Sequence, residues 1–150
     1  MANTYGEAYF HVVFSTRFRK KQLEQKWQGA LNGYMVEMLR RRSLFPLQVN
    51  GHLDHIHLLF GYHPSVRLDD VVREIKVATN KWINANYSLS ERFRWQEGYA
   101  YFTCKKKDLP GLIQYIVNQQ RHHEKMSYER EVVLLMKRYE VKYDPDRLFG

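Results

Sequence analysis

From Tyr5 to Thr16 apolar residues alternate with their neighbours: Ala8, Phe10, Val12 and Phe14 fall on one side, Tyr9, His11, Val13 and Ser15 on the other. A period of two is the pattern of a strand. Between Gln22 and Arg42 the spacing becomes helical, with Leu23, Trp27, Leu31, Tyr34/Met35 and Met38/Leu39 on one stripe. Gly29 and Gly33 lower helix propensity there but permit close packing against a sheet. The closing Arg40-Arg41-Arg42 run suits the negative pole of the helix dipole. Leu44 to Val49 reads as a short strand, with Pro46 placing it near an edge or a strand start. Asn50-Gly51 reads as a tight turn into a further strand from about His55 to Tyr62, a hairpin that brings His52 and Asp54 to one corner.

Pro64-Ser65 opens a second helix whose buried stripe is Leu68, Val71/Val72, Ile75, Ala78/Thr79 and Trp82. Asn84 to Glu97 is polar and turn-rich apart from Phe93 and Trp95, and Gly98 to Cys104 returns to a strand. A third helix follows, with Asp108 as N-cap, Pro110 in the first turn and Leu112 to Gln119 as its body. Ser127 is a candidate cap for a last short helix carrying Val132, Val133, Leu135 and Met136. The segment from Tyr143 to Gly150, with Leu148 and Phe149, reads either as an ordered tail or as one that docks on a partner. No repeat or linker interrupts the pattern, so a single domain over residues 1–150 is expected. Strand, helix, strand, strand, helix, strand and then extra helices predict an α+β fold. It is the ferredoxin-like or RRM-like βαββαβ arrangement, an antiparallel sheet with two helices on one face plus C-terminal helices. The second sheet face is expected to stay free for a ligand or partner.

Composition narrows the class of partner. Hydrophobic residues at 44% and aromatics at 15% exclude a disordered chain. Lys and Arg outnumber Asp and Glu by 24 to 16, a net charge of +8, which favours a polyanion, nucleic acid being the commonest. Charge alone nominates Arg17, Arg19 and Lys20 at the corner after the first strand, Arg73 and Lys76 on the second helix, and Lys105, Lys106 and Lys107. A solvated loop accounts for the corner as well as a phosphate contact does. The single cysteine, Cys104, allows no intramolecular disulfide and reads as a partly buried strand residue. Met1 to Phe14 lacks the layout of a secretory leader and no apolar run approaches membrane-spanning length, so a cytoplasmic location and no membrane partner are expected.

The chemistry begins at Asp54-His55-Ile56-His57-Leu58-Leu59-Phe60. In a strand, residues two apart share a face, so His55 and His57 project together while Ile56, Leu58 and Phe60 enter the core. Two imidazoles so placed can hold one metal ion, and they can equally be buried or surface histidines. On the third helix Tyr115 and Gln119 are four apart and share a face, a phenol beside a carboxamide. Among 11 tyrosines, none is catalytic by its presence alone.

Together, Asp54-His55-Ile56-His57-Leu58-Leu59 and Tyr115-Ile116-Val117-Asn118-Gln119 resemble the HUH single-tyrosine (Y1) transposases of the IS200/IS605 type, U being the hydrophobic Ile56. The resemblance extends over nearly the whole chain. Tyr9 to Phe14 and the basic corner after it look like the family's first strand, and Trp95-Gln96-Glu97-Gly98-Tyr99 with Asn118-Gln119…His122-His123 look like one of its branches. The resemblance implies that His55 and His57 hold a divalent metal, Mg²⁺ or Mn²⁺, with Gln119 as a further ligand. It implies that Tyr115 attacks a phosphodiester in single-stranded DNA, giving a 5′-phosphotyrosine link and a free 3′-hydroxyl, and that a second strand's hydroxyl then rejoins the DNA. It also implies recognition of hairpins at element ends and a homodimer in which each site combines the histidines of one subunit with the tyrosine helix of the other. His52 and Asp54 are available as a further ligand, and His122 and His123 as metal, DNA or helix-end groups; these alternatives stay open.

The implied chemistry is physically coherent. A phenol with a pKa of about 10 is scarcely ionised at neutral pH, and a metal on the non-bridging phosphate oxygens lowers what the nucleophile must supply. Imidazole and amide donors are neutral and leave the ion its full charge; Mg²⁺ prefers oxygen and Mn²⁺ tolerates imidazole. Other readings compete. A non-catalytic module binding single-stranded nucleic acid would use the same sheet, although the chain lacks the aromatic pattern of an RRM. A zinc hydrolase would use His52, His55 and His57, but no nearby Glu is placed by the sequence as its base and Tyr115 would be idle. A domesticated nicking protein falls within the transposase-like reading.

Overall fold

Four strands form one antiparallel sheet in the order β2-β3-β1-β4: β1 Tyr9–Ser15, β2 Phe45–Gly51, β3 His55–Gly61 and β4 Ala100–Thr103. The computed structural model describes residues 3–148, so Phe149 of the expected tail lies outside the described residues. Helices α1 (Gln25–Arg41) and α2 (Leu68–Asn86) complete the βαββαβ order expected from the periodicities. A 3₁₀ turn at Lys106–Asp108 leads into α3 (Leu109–Val117), α4 (Gln119–His122) and α5 (Tyr128–Arg138). Among the described residues, no helix is long and apolar enough to cross a membrane.

The two central strands set the layering. Val12 and Phe14 of β1 and Ile56, Leu58 and Phe60 of β3 are wholly buried on one face, packed with Leu31, Met35 and Leu39 of α1 and Val71, Val72 and Ile75 of α2. The opposite face is not free, contrary to the sequence expectation. Val13 and Phe102 are covered by Tyr128, Val132, Leu135 and Met136 of α5, and Leu59 by Leu109, Leu112 and Ile116 around α3. Leaving Val13, Leu59 and Phe102 in water would forfeit about 1.5–3 kcal/mol for each of these side chains, so the C-terminal helices fold back over them. That return brings chemistry from the end of the chain onto the histidine-bearing face.

Local signals differ from the sequence reading in three places. Asn50-Gly51 is not the turn: both residues end β2, Gly51 pairs with Ile56, and the loop is His52-Leu53-Asp54. Gly51 is required for proximity, since a Cβ there would lie 2.1 Å from the His55 carbonyl oxygen. Pro64-Ser65 lies in a turn before α2, which starts at Leu68. Asp108 precedes α3 with no side-chain capping bond, whereas Ser127 caps α5 as expected, its hydroxyl oxygen accepting from the Arg130 amide at 3.3 Å.

Candidate active site

Both histidines of β3 are fully buried on the face covered by the C-terminal helices. The Nδ1 of His55 lies 2.8 Å from Asp54 Oδ1, and its Nε2 lies 2.8 Å from Gln119 Oε1. Asp54 is therefore an orienting partner behind the ring: it fixes which nitrogen faces the centre, as carboxylates commonly do for metal-binding histidines. His57 is set by its own neighbour, His11 on β1, whose Nε2 is 2.7 Å from His57 Nδ1 and whose ring stacks on it.

The tyrosine and its companion amide arrive on a broken helix. α3 stops at Val117, Asn118 adopts φ −91° and ψ 20°, and α4 resumes at Gln119. The break is held by Asn50, whose Nδ2 donates to the carbonyls of Ile116 and Val117 at 2.9 and 3.1 Å. Gln120 returns the tie, donating through Nε2 to the Gly51 carbonyl at 3.0 Å and to Gln28 Oε1 at 3.0 Å. The residue that reads as turn chemistry in the sequence is thus a staple between the histidine hairpin and the tyrosine helix. Asn50→Ala should cost about 1–3 kcal/mol and speed amide exchange selectively in residues 116–123, measurable by urea titration and hydrogen–deuterium exchange.

At the centre stands Glu131 of α5, which sequence reasoning missed. It is 1% exposed. Its Oε1 lies 3.3 Å from His55 Nε2, 3.1 Å from His57 Nε2 and 3.1 Å from His123 Nε2. Its Oε2 accepts from the Tyr115 hydroxyl and, at 3.0 Å, from Gln119 Nε2. His122 Nε2 approaches the same oxygen at 3.5 Å. The signal for Glu131 was present: Tyr128, Glu131, Val132, Leu135 and Met136 form one buried stripe, and an acid on an apolar stripe needs a reason. The sequence argument that no Glu serves the histidines is overturned with it.

Electrostatics follow from that carboxylate. Burial alone would raise the Glu131 pKa, but His57, His123 and His55 outweigh it and hold the group well below the carboxylate range. For His55, burial is outweighed by Asp54 and Glu131, which raise it to about 9. His57 goes the other way, burial lowering its pKa despite Glu131, with the neighbouring His55 and His123 adding to the effect. Burial and the Glu131 charge push the Tyr115 phenol far above its ordinary value. Without added positive charge, the arrangement keeps Tyr115 a neutral phenol.

One chain therefore brings together His55, His57, Tyr115 and Gln119, the four residues singled out in the sequence. The Tyr115 ring sits edge-on to His57 with centroids 5.9 Å apart. His123 joins them, and His52 stacks on His123 at 5.5 Å rather than entering the centre. The basic candidates are dispersed. Arg17 pairs with Glu97 at 4.0 Å, Arg19 with Glu129 at 2.7 Å, Lys20 with Glu91, Arg73 with Asp70 at 3.2 Å and Lys106 with Glu7 at 3.0 Å. Lys76 donates to the carbonyls of Gln96 and Gly98, and burial lowers its pKa to about 8. Lys105 and Lys107 are exposed beside the start of α3.

The donor set fits a divalent cation. His55, His57 and Glu131 present three ligand atoms within 4.8 Å of one another, all buried. The fit is also visible in the hydrogen-bond accounting at His55: acceptor oxygens face both ring nitrogens, a situation that a proton or a metal ion on Nε2 resolves.

Comparison with known proteins bears on the family and the fold. The family model for IS200-like transposases matches residues 4–119. Among solved structures, the chain is similar to a protein of Deinococcus radiodurans R1 described provisionally as a transposase. That similarity has a TM-score of 0.62 at 22% identity and covers 79% of this chain and 98% of that one. It is also similar to a REP-associated tyrosine transposase bound to a REP hairpin, with a TM-score of 0.62 at 16% identity, covering 89% of this chain and 84% of that one. Against curated proteins there is no significant match.

Proposed function

The chain belongs to the IS200-like transposase family, and from that premise we propose that it cleaves and rejoins single-stranded DNA through a 5′-phosphotyrosine intermediate, with Tyr115 as nucleophile. The observation that carries this reading is the meeting, within one chain, of the Tyr115 hydroxyl, the Gln119 amide and the His55 and His57 imidazoles around a single buried point. No other reading gives all four a use.

His55 and His57 would hold a divalent ion through Nε2, with Gln119 Oε1 beside them; Asp54 and His11 fix the two rings from behind. When bound, the ion supplies Lewis-acid polarisation of the scissile phosphate and charge to offset the developing phosphorane. Tyr115 Oη attacks phosphorus as its proton leaves to solvent or a neighbouring base; the P–O3′ bond breaks, and the 3′-oxygen departs as a hydroxyl after gaining a proton. The phosphotyrosine bond conserves the energy of the broken linkage, so a second 3′-hydroxyl rejoins the strand without a nucleotide cofactor. Mg²⁺ and Mn²⁺ both suit a mixed imidazole and oxygen set, Mn²⁺ the better.

The partner we infer is single-stranded DNA presented near a hairpin, in keeping with the hairpin-bound structural neighbour. Arg17, Arg19, Lys20, Arg73, Lys76, Lys105, Lys106 and Lys107 remain the charged candidates; Lys105 and Lys107, exposed near the start of the tyrosine helix, are best placed to meet phosphates. A homodimer fits the family, although the residues of the chemistry are already assembled in one copy. A non-catalytic module reading nucleic acid on the second sheet face is disfavoured because that face is covered by α3 and α5. A metal hydrolase would now have a carboxylate in Glu131, but it would release product without a protein–DNA bond.

The test is a denaturing-gel assay. Labelled single-stranded DNA from the flanks of the gene, incubated with the protein and Mn²⁺, is expected to give a covalent adduct. EDTA should remove the adduct by more than about 100-fold while hairpin binding changes little. Free 5′-phosphate product with no adduct would point to hydrolysis and sink the proposal.

A further inference from the structure

We propose that Glu131 is itself a ligand of the divalent ion, joining His55 and His57 in a set of two histidines and one carboxylate. The inference rests on the metal reading above and adds to it an anionic donor from α5.

The spacing is that of co-ligands. Atoms about 2.1 Å from one ion lie about 3.0 Å apart at adjacent octahedral corners and about 3.4 Å apart in a tetrahedron. Glu131 Oε1 is 3.3 Å from His55 Nε2 and 3.1 Å from His57 Nε2, and Gln119 Oε1 is 2.8 Å from His55 Nε2. These separations suit donors that share an ion.

Charge and donor accounting point the same way. Glu131 is buried, and among the described residues its ion pairs are with His55, His57, His122 and His123. A buried carboxylate needs a positive partner. His123 has its Nδ1 2.6 Å from the Met126 carbonyl oxygen, which places a proton on that nitrogen. Its Nε2 then faces two acceptors, Gln119 Oε1 and Glu131 Oε1, each at 3.1 Å. His55 is flanked by acceptors in the same manner, with Asp54 on one side and Gln119 and Glu131 on the other. With both rings neutral, one nitrogen of His55 and one of His123 would each face oxygen without a hydrogen, a conflict that a proton or a divalent ion resolves.

Each oxygen of Glu131 then has its own task. Oε1 faces the histidine pair, while Oε2 accepts from the Tyr115 hydroxyl. The carboxylate ties the nucleophile to the ion and fixes their separation. A hard anionic oxygen strengthens the hold on Mg²⁺ or Mn²⁺ beyond what two imidazoles provide, and two histidines plus a carboxylate leave coordination positions open for phosphate oxygens.

Calorimetric titration of the full chain with Mn²⁺, without DNA, tests this apart from catalysis. E131Q is expected to weaken Mn²⁺ binding by at least about 10-fold, the scale set by loss of even outer partners, and to change the visible spectrum of the Co²⁺-substituted protein. E131D, which keeps the charge but withdraws it by one methylene, should fall between E131Q and wild type; it is read in place of E131Q if the latter fails to fold by circular dichroism. Variants that bind Mn²⁺ within twofold of wild type, with an unchanged Co²⁺ spectrum, overturn the role of Glu131 provided His57→Ala loses the ion. If His57→Ala also binds as wild type does, the metal reading itself is overturned.

Discussion

Tyr115→Phe should abolish the covalent protein–DNA adduct, on the order of 10⁴-fold or more, and leave affinity for hairpin DNA within about twofold. The size follows from the chemistry, because without the phenol oxygen no phosphotyrosine bond can form. The substitution is also mild for the fold. The ring keeps its edge contacts with His57 and His122, at 5.9 and 5.2 Å between centroids, and Glu131 Oε2 keeps the Gln119 amide at 3.0 Å, so no buried carboxylate oxygen is orphaned. Melting temperature should therefore stay close to wild type. An adduct that survives in Tyr115→Phe would remove Tyr115 from the mechanism. Tyr128, the first residue of α5, stacks on His55 at 4.5 Å and is 3% exposed, and its burial keeps it from a DNA strand.

Gly51→Ala carries the largest expected loss of stability, about 3 kcal/mol or more. The added Cβ would stand 2.1 Å from the His55 carbonyl oxygen and 3.0 Å from the Ile56 Cα. Both are backbone atoms of the paired strand, so no side-chain rotation relieves the clash. Relief requires β2 and β3 to separate at the point where His55 begins, and a one-residue slip there would turn both histidines to the wrong face. Urea denaturation reads the loss directly, and Mn²⁺ titration should show weakened binding in whatever fraction remains folded. A midpoint shift equivalent to less than about 1 kcal/mol would mean that the two strands tolerate a side chain at this position.

Much of this arrangement was legible in the sequence because it rests on short-range periodicity. The alternation through Tyr9–Ser15 and His55–Gly61 set two strands and put His55 and His57 on one face. The helical stripe through Leu31, Met35 and Leu39 set α1. Tyr115 and Gln119 meet as four-residue spacing implies, despite the break at Asn118. What escaped depends on long-range packing. Asn50 resembles a turn residue until α3 is present to use its amide, and Gly51 resembles a turn glycine until the approach of His55 is known. The second sheet face looked open because Val13, Leu59 and Phe102 were not set against the apolar stripe of α5. Glu131 escaped because it lies far along the chain from the His55-Ile56-His57 motif, on a helix whose docking no local pattern reveals. On α5 it was an acid where a core residue belonged.

The presence of histidines and tyrosine in one chain has a genetic side. In a site shared between subunits, a Tyr115-defective copy and a His57-defective copy could rescue one another when co-expressed, each lending the half the other lacks. Here α3 docks its tyrosine on its own sheet, stapled by Asn50 to the strand next to β3. On the proposed function two such alleles are expected not to rescue one another, and co-expression of Tyr115→Phe with His57→Ala tests this. On that function, a gene built in this way would lose or keep its activity one molecule at a time.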